Sequence, residues 1–419
     1  MQQLPKRLLS IDVLRAITML LMIFVNDAGG VQHIPEWIDH AKGFEDRMGF
    51  ADTIFPAFLF IVGLSLPFAI NNRIKKSHSA RQVLFYILVR SAALLIMGFY
   101  HVNLEEYNSS AALIPKAAWA LVITMAFFLI WLDYPESMAK TKRYALQILG
   151  IAMLIFMAVI YKGGEDGEVR GMEPSWWGIL GLIGWAYLVC ALIFFAVKGK
   201  LNSLIVAWIT LAAINILAHS ILKVNVLHDE TMVTIAGKDV TGSFLGNAII
   251  FLKPFWIIND ASTMTLTMGG VVISGIYAKL VEQGKTQRIW VTLTVVGILF
   301  LIAGFALRPY TEGISKIRST PAWVFICSGI TTLAFLMLIY MVDVKGKINA
   351  FNWIKPAGTS TLTCYLIPYF QVFTLELFQI NYPDVINNGF PGLSRSFLTA
   401  VIIVLFVGLL EKKRLRLKI

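Results

Sequence analysis

The feature that most limits what this chain can become is the return, along its whole length, of apolar runs about 20 residues long. Twelve can be marked, at 10–26, 51–71, 83–100, 111–132, 144–161, 176–197, 201–222, 264–280, 289–307, 323–342, 361–378 and 397–410. Runs of that length match the apolar thickness of a bilayer. In such a medium the backbone must satisfy its own hydrogen bonds, which favours helices. The expected fold is therefore an all-α polytopic membrane protein, a bundle of about 11–12 transmembrane helices. Only 15% of the 419 residues are charged, against about 25% in soluble domains. An oily soluble core is thereby set aside.

The net charge of +11 has no soluble domain in which to form a nucleic-acid surface, so its natural reading is topological. Of the 36 Lys and Arg residues, 22 fall in connectors on the amino-terminal side of a twelve-span arrangement and 12 on the other. Two, Arg15 and Arg90, lie within spans. The bias predicts both termini in the cytoplasm of a cell's inner (plasma) membrane. The whole chain, 1–419, reads as one transmembrane domain, and 223–262 as an extracytoplasmic insertion. Alternation at Val224, Val226, Val233 and Ile235 suggests a small hairpin there. The run 244–258, interrupted by Lys253-Pro254, is expected to be interfacial or re-entrant rather than spanning. The first apolar run lacks a small-residue cleavage site and is expected to be retained. Cys190, Cys327 and Cys364 each sit in an apolar run, so neither a disulfide framework nor a metal site is expected.

The polar residues concentrate in 8–71. Asp12, Arg15 and Asn26 share one stripe of the first helix, and such a stripe faces protein or water rather than lipid. The chain then crosses Asp27-Ala28-Gly29-Gly30 and WIDHAKGFEDRMGF before re-entering at Ala-Asp-Thr-Ile-Phe-Pro, which carries Asp52. His33 and His40 lie in that outer loop. An imidazole near neutrality can take a proton from an attacking amine or hydroxyl, or carry an acyl group. A loop histidine in water is the bland alternative. Asp52 can anchor the start of its helix or orient His40. Asn26 can cap its helix or polarise a carbonyl.

The pattern SIDVLRA…VN…GG…W..HA.G…ADTIFPAFLFIVG resembles the start of the heparan-α-glucosaminide N-acetyltransferase family and its bacterial relatives. Ile314-Ser315-Lys316, TPAWVFICSGITTLAFLMLIYMVDVKG, PAGTSTLTCYL and PSWWGILGLIGWAYL continue the likeness. The resemblance implies a polytopic enzyme moving an acetyl group from cytoplasmic acetyl-CoA to a sugar or amino-sugar acceptor across the membrane, without a metal. It implies His40 as the essential histidine, with Asn26 and Asp52 beside it and His33 as the fallback. Arg15 lies about 16 Å below Asn26 along the helix, which suits contact with the CoA chain or pyrophosphate. Asp12 and Arg90 join it as donor-binding candidates. Membrane lipid is an expected partner, nucleic acid is not, and a homodimer stays open. Two other readings fit the same residues: a sugar or amino-sugar transporter without chemistry, and an O-acetyltransferase of envelope glycans.

Overall fold

The computed structural model describes residues 8–76, 79–165, 167–175, 178–220, 222–227, 230–248 and 259–419. Among them the apolar runs are helices: α1 Leu9–Ala28, α2 Ala51–Lys75, α3 Ala80–Glu105, α4 Lys116–Trp131, α5 Lys140–Val159, α6 Ile179–Ala196 and α7 Leu201–Ser220. After the insertion come α8 Ser262–Glu282, α9 Thr286–Leu307, α10 Pro321–Leu338, the short α11 Lys355–Thr359, α12 Thr361–Leu377 and α13 Gly389–Lys412. Ten of the described helices are long and apolar enough to cross a bilayer. α4 and α12, at 16 and 17 residues, fall just short. The all-α, multi-pass character expected from the apolar runs holds.

Helix boundaries differ from the expected runs in several places, among them α13 and α3. α13 begins at Gly389, well before 397, because Pro391 falls in its first turn, where no intrahelical N–H is needed. α3 runs on past 100 through His101 and Asn103, whose side chains are both buried. In the insertion, Leu222–Leu227 (β1) pairs antiparallel with Glu230–Ile235 (β2), placing Val224 opposite Val233, and Lys238–Asp239 (β3) adds a third strand. The expected hairpin is present. Of the run 244–258, only 244–248 is described, as a helical turn; Lys253-Pro254 lies outside the described residues, as does His228.

The chain divides into two compact units. The first comprises residues 1–14, 36–92 and 182–348. Its centre is the α2–α8 pair, where backbones meet without side chains between them. A Cβ on Gly63 would lie 1.8 Å from the Thr267 carbonyl oxygen, and one on Gly270 would lie 2.0 Å from that of Phe60. Small residues allow this approach in a medium where helices gain nothing from excluding water. Leu66, Ile70, Val83, Tyr187 and Met268 pack around the pair. The start of α1 is capped from within this unit: Asp343 accepts the N–H groups of Leu9 at 2.9 Å and Ser10 at 3.3 Å.

The second unit comprises residues 15–35, 93–181 and 349–419. Here α4 lies on α5 at Gly150, where an added Cβ would sit 2.9 Å from the Ala126 carbonyl oxygen. Buried ring polar groups find backbone partners: Trp119 Nε1 donates to the Met157 carbonyl (3.0 Å) and Tyr100 Oη to that of Leu154 (2.7 Å). In α3, His101 stacks on Tyr369 of α12 with ring centroids 4.2 Å apart.

Candidate active site

In the first unit, the loop over 36–50 folds back on the start of α2. The Phe50 N–H bonds the Trp37 carbonyl (2.7 Å) and the Ala51 N–H that of Ile38 (3.0 Å). The turn needs glycine at 49, since a Cβ there would lie 1.8 Å from the Asp39 carbonyl oxygen. This fold brings the loop across Asp52, the second residue of α2. The Asp52 carboxylate is 1% exposed. One oxygen lies 2.6 Å from His40 Nδ1; the other accepts the N–H groups of Ala41 (2.9 Å) and Gly49 (3.1 Å). A buried carboxylate is retained only when so satisfied.

Acceptor-only oxygens on Asp52 set the tautomer. His40 donates Nδ1–H to the carboxylate, which leaves the Nε2 lone pair free to take a proton. The ring is 36% exposed, so Nε2 is open to a reacting partner. Asp52 therefore orients the ring and can balance the imidazolium that would form, as carboxylates do in hydrolase triads.

A third group closes the cluster. Lys316, in the α9–α10 connector, brings Nζ to 3.3 Å from His40 Nδ1 and 3.9 Å from Asp52. Burial pushes its pKa below the usual lysine value, and the charge of Asp52 offsets part of that effect. Trp323, at the start of α10, donates Nε1–H to the backbone carbonyl of Asp52 (3.0 Å).

The Lys316 connector is latched to the His40 loop. Asp46 accepts from Arg308 Nε (2.9 Å) and from the Ile314 N–H (2.6 Å), and Arg318 donates to the Glu45 carbonyl (3.1 Å). Burial opposes ionisation of Asp46, yet the Ile314 N–H and Arg308 hold its carboxyl below the ordinary range. Gly313 takes φ +77°, the left-handed region, against the Asp46 side chain. On the other side, Asn215 of α7 donates to the Ser319 carbonyl (3.3 Å).

Of the expected site residues, the structure brings His40 and Asp52 together. Asn26 and Arg15 belong to the second unit. Asn26 is exposed near the end of α1, and Arg15 donates to the Gly358 carbonyl at 3.2 Å. Asp12 is half-buried in the first turn of α1. Arg90 lies 3.3 Å from Tyr86 Oη and 5.3 Å above the Tyr187 ring, while Arg73 covers Tyr86. His33 is exposed, with a left-handed backbone (φ 52°), and makes no ion pair among the described residues. Lys316, Trp323 and Asp46 were not singled out from the sequence. The one available signal was Ile314-Ser315-Lys316, which heads the second block of resemblance.

Residues 7–107, which hold the His40–Asp52 pair, match the family model described as "Heparan-alpha-glucosaminide N-acetyltransferase, catalytic". The resemblance is to that family. Relatives carrying its name are a human protein, 35% identical over 100 residues, and a mouse protein, 28% identical over 140 residues. The matched segments cover 24% and 31% of this chain but only 14% and 21% of the human and mouse proteins. The family likeness thus lies in the stretch that builds the imidazole–carboxylate pair.

Proposed function

We propose that this protein is a transmembrane acetyltransferase in which His40 serves the acceptor, Asp52 orients His40, and Lys316 balances the charge of Asp52. One observation carries the reading: a half-exposed imidazole held through Nδ1 by a buried carboxylate, inside the segment that resembles an acetyltransferase family. The donor is acetyl-CoA and the acceptor a sugar or amino sugar on the extracytoplasmic side. Arg15, Asp12 and Arg90 are the candidates for holding the donor. Arg15 and Arg90 already touch a backbone carbonyl and tyrosine rings, so an anionic group would add to partners they have.

In the reaction, the acceptor amine attacks the thioester carbonyl. The C–N bond forms, the C–S bond breaks, and the amine proton passes to Nε2 of His40. The departing thiolate then takes that proton, which restores the neutral imidazole. General-base assistance of this kind is worth about 10²–10⁴-fold.

The test uses proteoliposomes with acetyl-CoA on one side and glucosamine on the other. Acetylated amino sugar on the acceptor side, with stoichiometric free CoA, is the expected result. Glucosamine crossing the bilayer unmodified, with no CoA released, would establish the transporter instead.

A further inference from the structure

The second unit holds a charged cavity of about 700 Å³, lined in part by the carboxyl-terminal tail and by none of the residues given a role above. After α13 ends at Lys412, the chain reverses: the Arg414 N–H bonds the Glu411 carbonyl and the Leu415 N–H that of Leu410. The tail then zips onto the end of α4. The Asp133 N–H bonds the Arg416 carbonyl and the Lys418 N–H that of Trp131, each at 2.8 Å, while the Leu417 N–H bonds Thr363 Oγ1 at 2.9 Å. The Leu417 side chain is buried, so this wall of the cavity is fixed.

Two of the cavity's three acids are already committed. Asp133 accepts from Arg416 (3.2 Å) and Lys418 (3.1 Å); Glu411 accepts from Arg416 (2.9 Å) and Thr359 (2.8 Å). Arg143, Lys412 and Arg414 also line the space and form no ion pair among the described residues. Glu136 is the remaining carboxylate. The cavity therefore presents more unspent positive charge than negative.

Arg414 adds a second observation. It sits at φ 57°, in the turn that ends α13. Glycine is the residue favoured at such a helix end, and a residue with a Cβ there carries a conformational penalty. Arg414 lines the cavity, and the planar donors of a guanidinium suit the oxygens of a phosphate group.

We propose that this cavity binds a phosphate ester. The ester could belong to the headgroup of an anionic phospholipid, since basic pockets at the ends of membrane helices take such groups. It could equally belong to a soluble nucleotide carrying phosphates, CoA included. The chemistry recognised is the same, and the site stands whether or not the protein transfers acetyl groups.

The test compares full-length purified protein with the Arg414→Gly and Lys412→Gln variants. The probes are dihexanoyl-phosphatidylglycerol, dihexanoyl-phosphatidylcholine and 3′,5′-ADP, with binding read by calorimetry at two salt concentrations. Arg414→Gly suits the backbone at its position, so its thermal stability should match or exceed that of the wild type. Each variant should weaken binding about fivefold, and added salt should weaken it further. Selective weakening for phosphatidylglycerol assigns the site to lipid, and selective weakening for 3′,5′-ADP assigns it to the nucleotide. Mutual competition shows a site that takes either. If no anionic probe binds the wild type at millimolar concentration, or both variants bind as the wild type does, the proposal is wrong.

Discussion

Replacing Asp52 with Asn separates orientation of His40 from its presence. The wild-type carboxylate faces three donors: His40 Nδ1–H on one oxygen, and the Ala41 and Gly49 N–H groups on the other. An asparagine keeps one oxygen and gains an NH₂. Turning the NH₂ toward Ala41 and Gly49 would set donor against donor at two buried contacts, so the amide oxygen must stay there. The NH₂ then points at His40 Nδ1, which has to become the acceptor. The ring proton moves to Nε2, and the nitrogen that should take the acceptor's proton is blocked.

The expected cost is a fall in transfer rate of about 10²–10⁴-fold, comparable to removing the base. The cost to folding is about 1.5–3 kcal/mol, the scale of one charge-assisted hydrogen bond, because both backbone contacts survive. Asp52→Ala differs in kind: it strands two buried N–H groups, at about 1–3 kcal/mol each, and should express poorly. The assay is acetyl transfer in proteoliposomes, normalised to monodisperse protein from size-exclusion chromatography. If Asp52→Asn transfers within a few-fold of wild type while remaining folded, the tautomer argument fails.

Four further outcomes are expected. Burial lowers the Lys316 pKa, so its ammonium is lost at lower pH than an ordinary lysine's; Lys316→Arg, which stays charged, should retain activity and move the alkaline limb of the pH–rate profile upward. The same shift means the unfolded chain binds more protons between the folded and unfolded values, so the Lys316 contribution to stability improves as pH rises through that window, a slope Lys316→Met should abolish in melting curves. Asp46 has a lowered pKa, so its latch to Arg308 and Ile314 is fully present above the ordinary carboxylate value of about 3.9 and is lost as pH falls through the folded value; Asp46→Asn should flatten the acid dependence of the melting temperature. Gly63→Ala forces a Cβ against the Thr267 carbonyl and should destabilise by about 1–3 kcal/mol or more, whereas Gly171→Ala, with open space around it, should stay within about 0.5 kcal/mol of wild type.

How much of this was legible in the sequence follows from the range over which each signal acts. Apolar length is local, so the helices stand where the runs stand, and α4 and α12 come out short because Pro115 and the Ser360 break bound them. The hairpin was visible because alternation at Val224 and Val233 is also local. His40 and Asp52 are 12 residues apart, across a loop whose end is marked by the start of α2, and could be paired by eye. Lys316 could not, because it reaches His40 across 276 residues, and nothing in apolar periodicity says which connector meets which loop. The Asp46 latch, spanning 262 residues to Arg308, was hidden for the same reason. His101 lies beyond the apolar run 83–100 because apolar length stops at the first polar letters; its stacking on Tyr369 accompanies the continuation of the helix.

The role proposed for Nε2 of His40, taking the acceptor's proton, is open to a direct test. It is tested most directly by the transfer rate of His40→Ala beside His33→Ala, each at matched amounts of folded protein. His40 is 36% exposed, so its truncation should leave thermal stability nearly unchanged. His40→Ala should lose about 10²-fold or more, and His33→Ala should transfer at near the wild-type rate. Transfer by His40→Ala at close to the wild-type rate would contradict the proposed role, and a selective loss in His33→Ala would move the role to that residue.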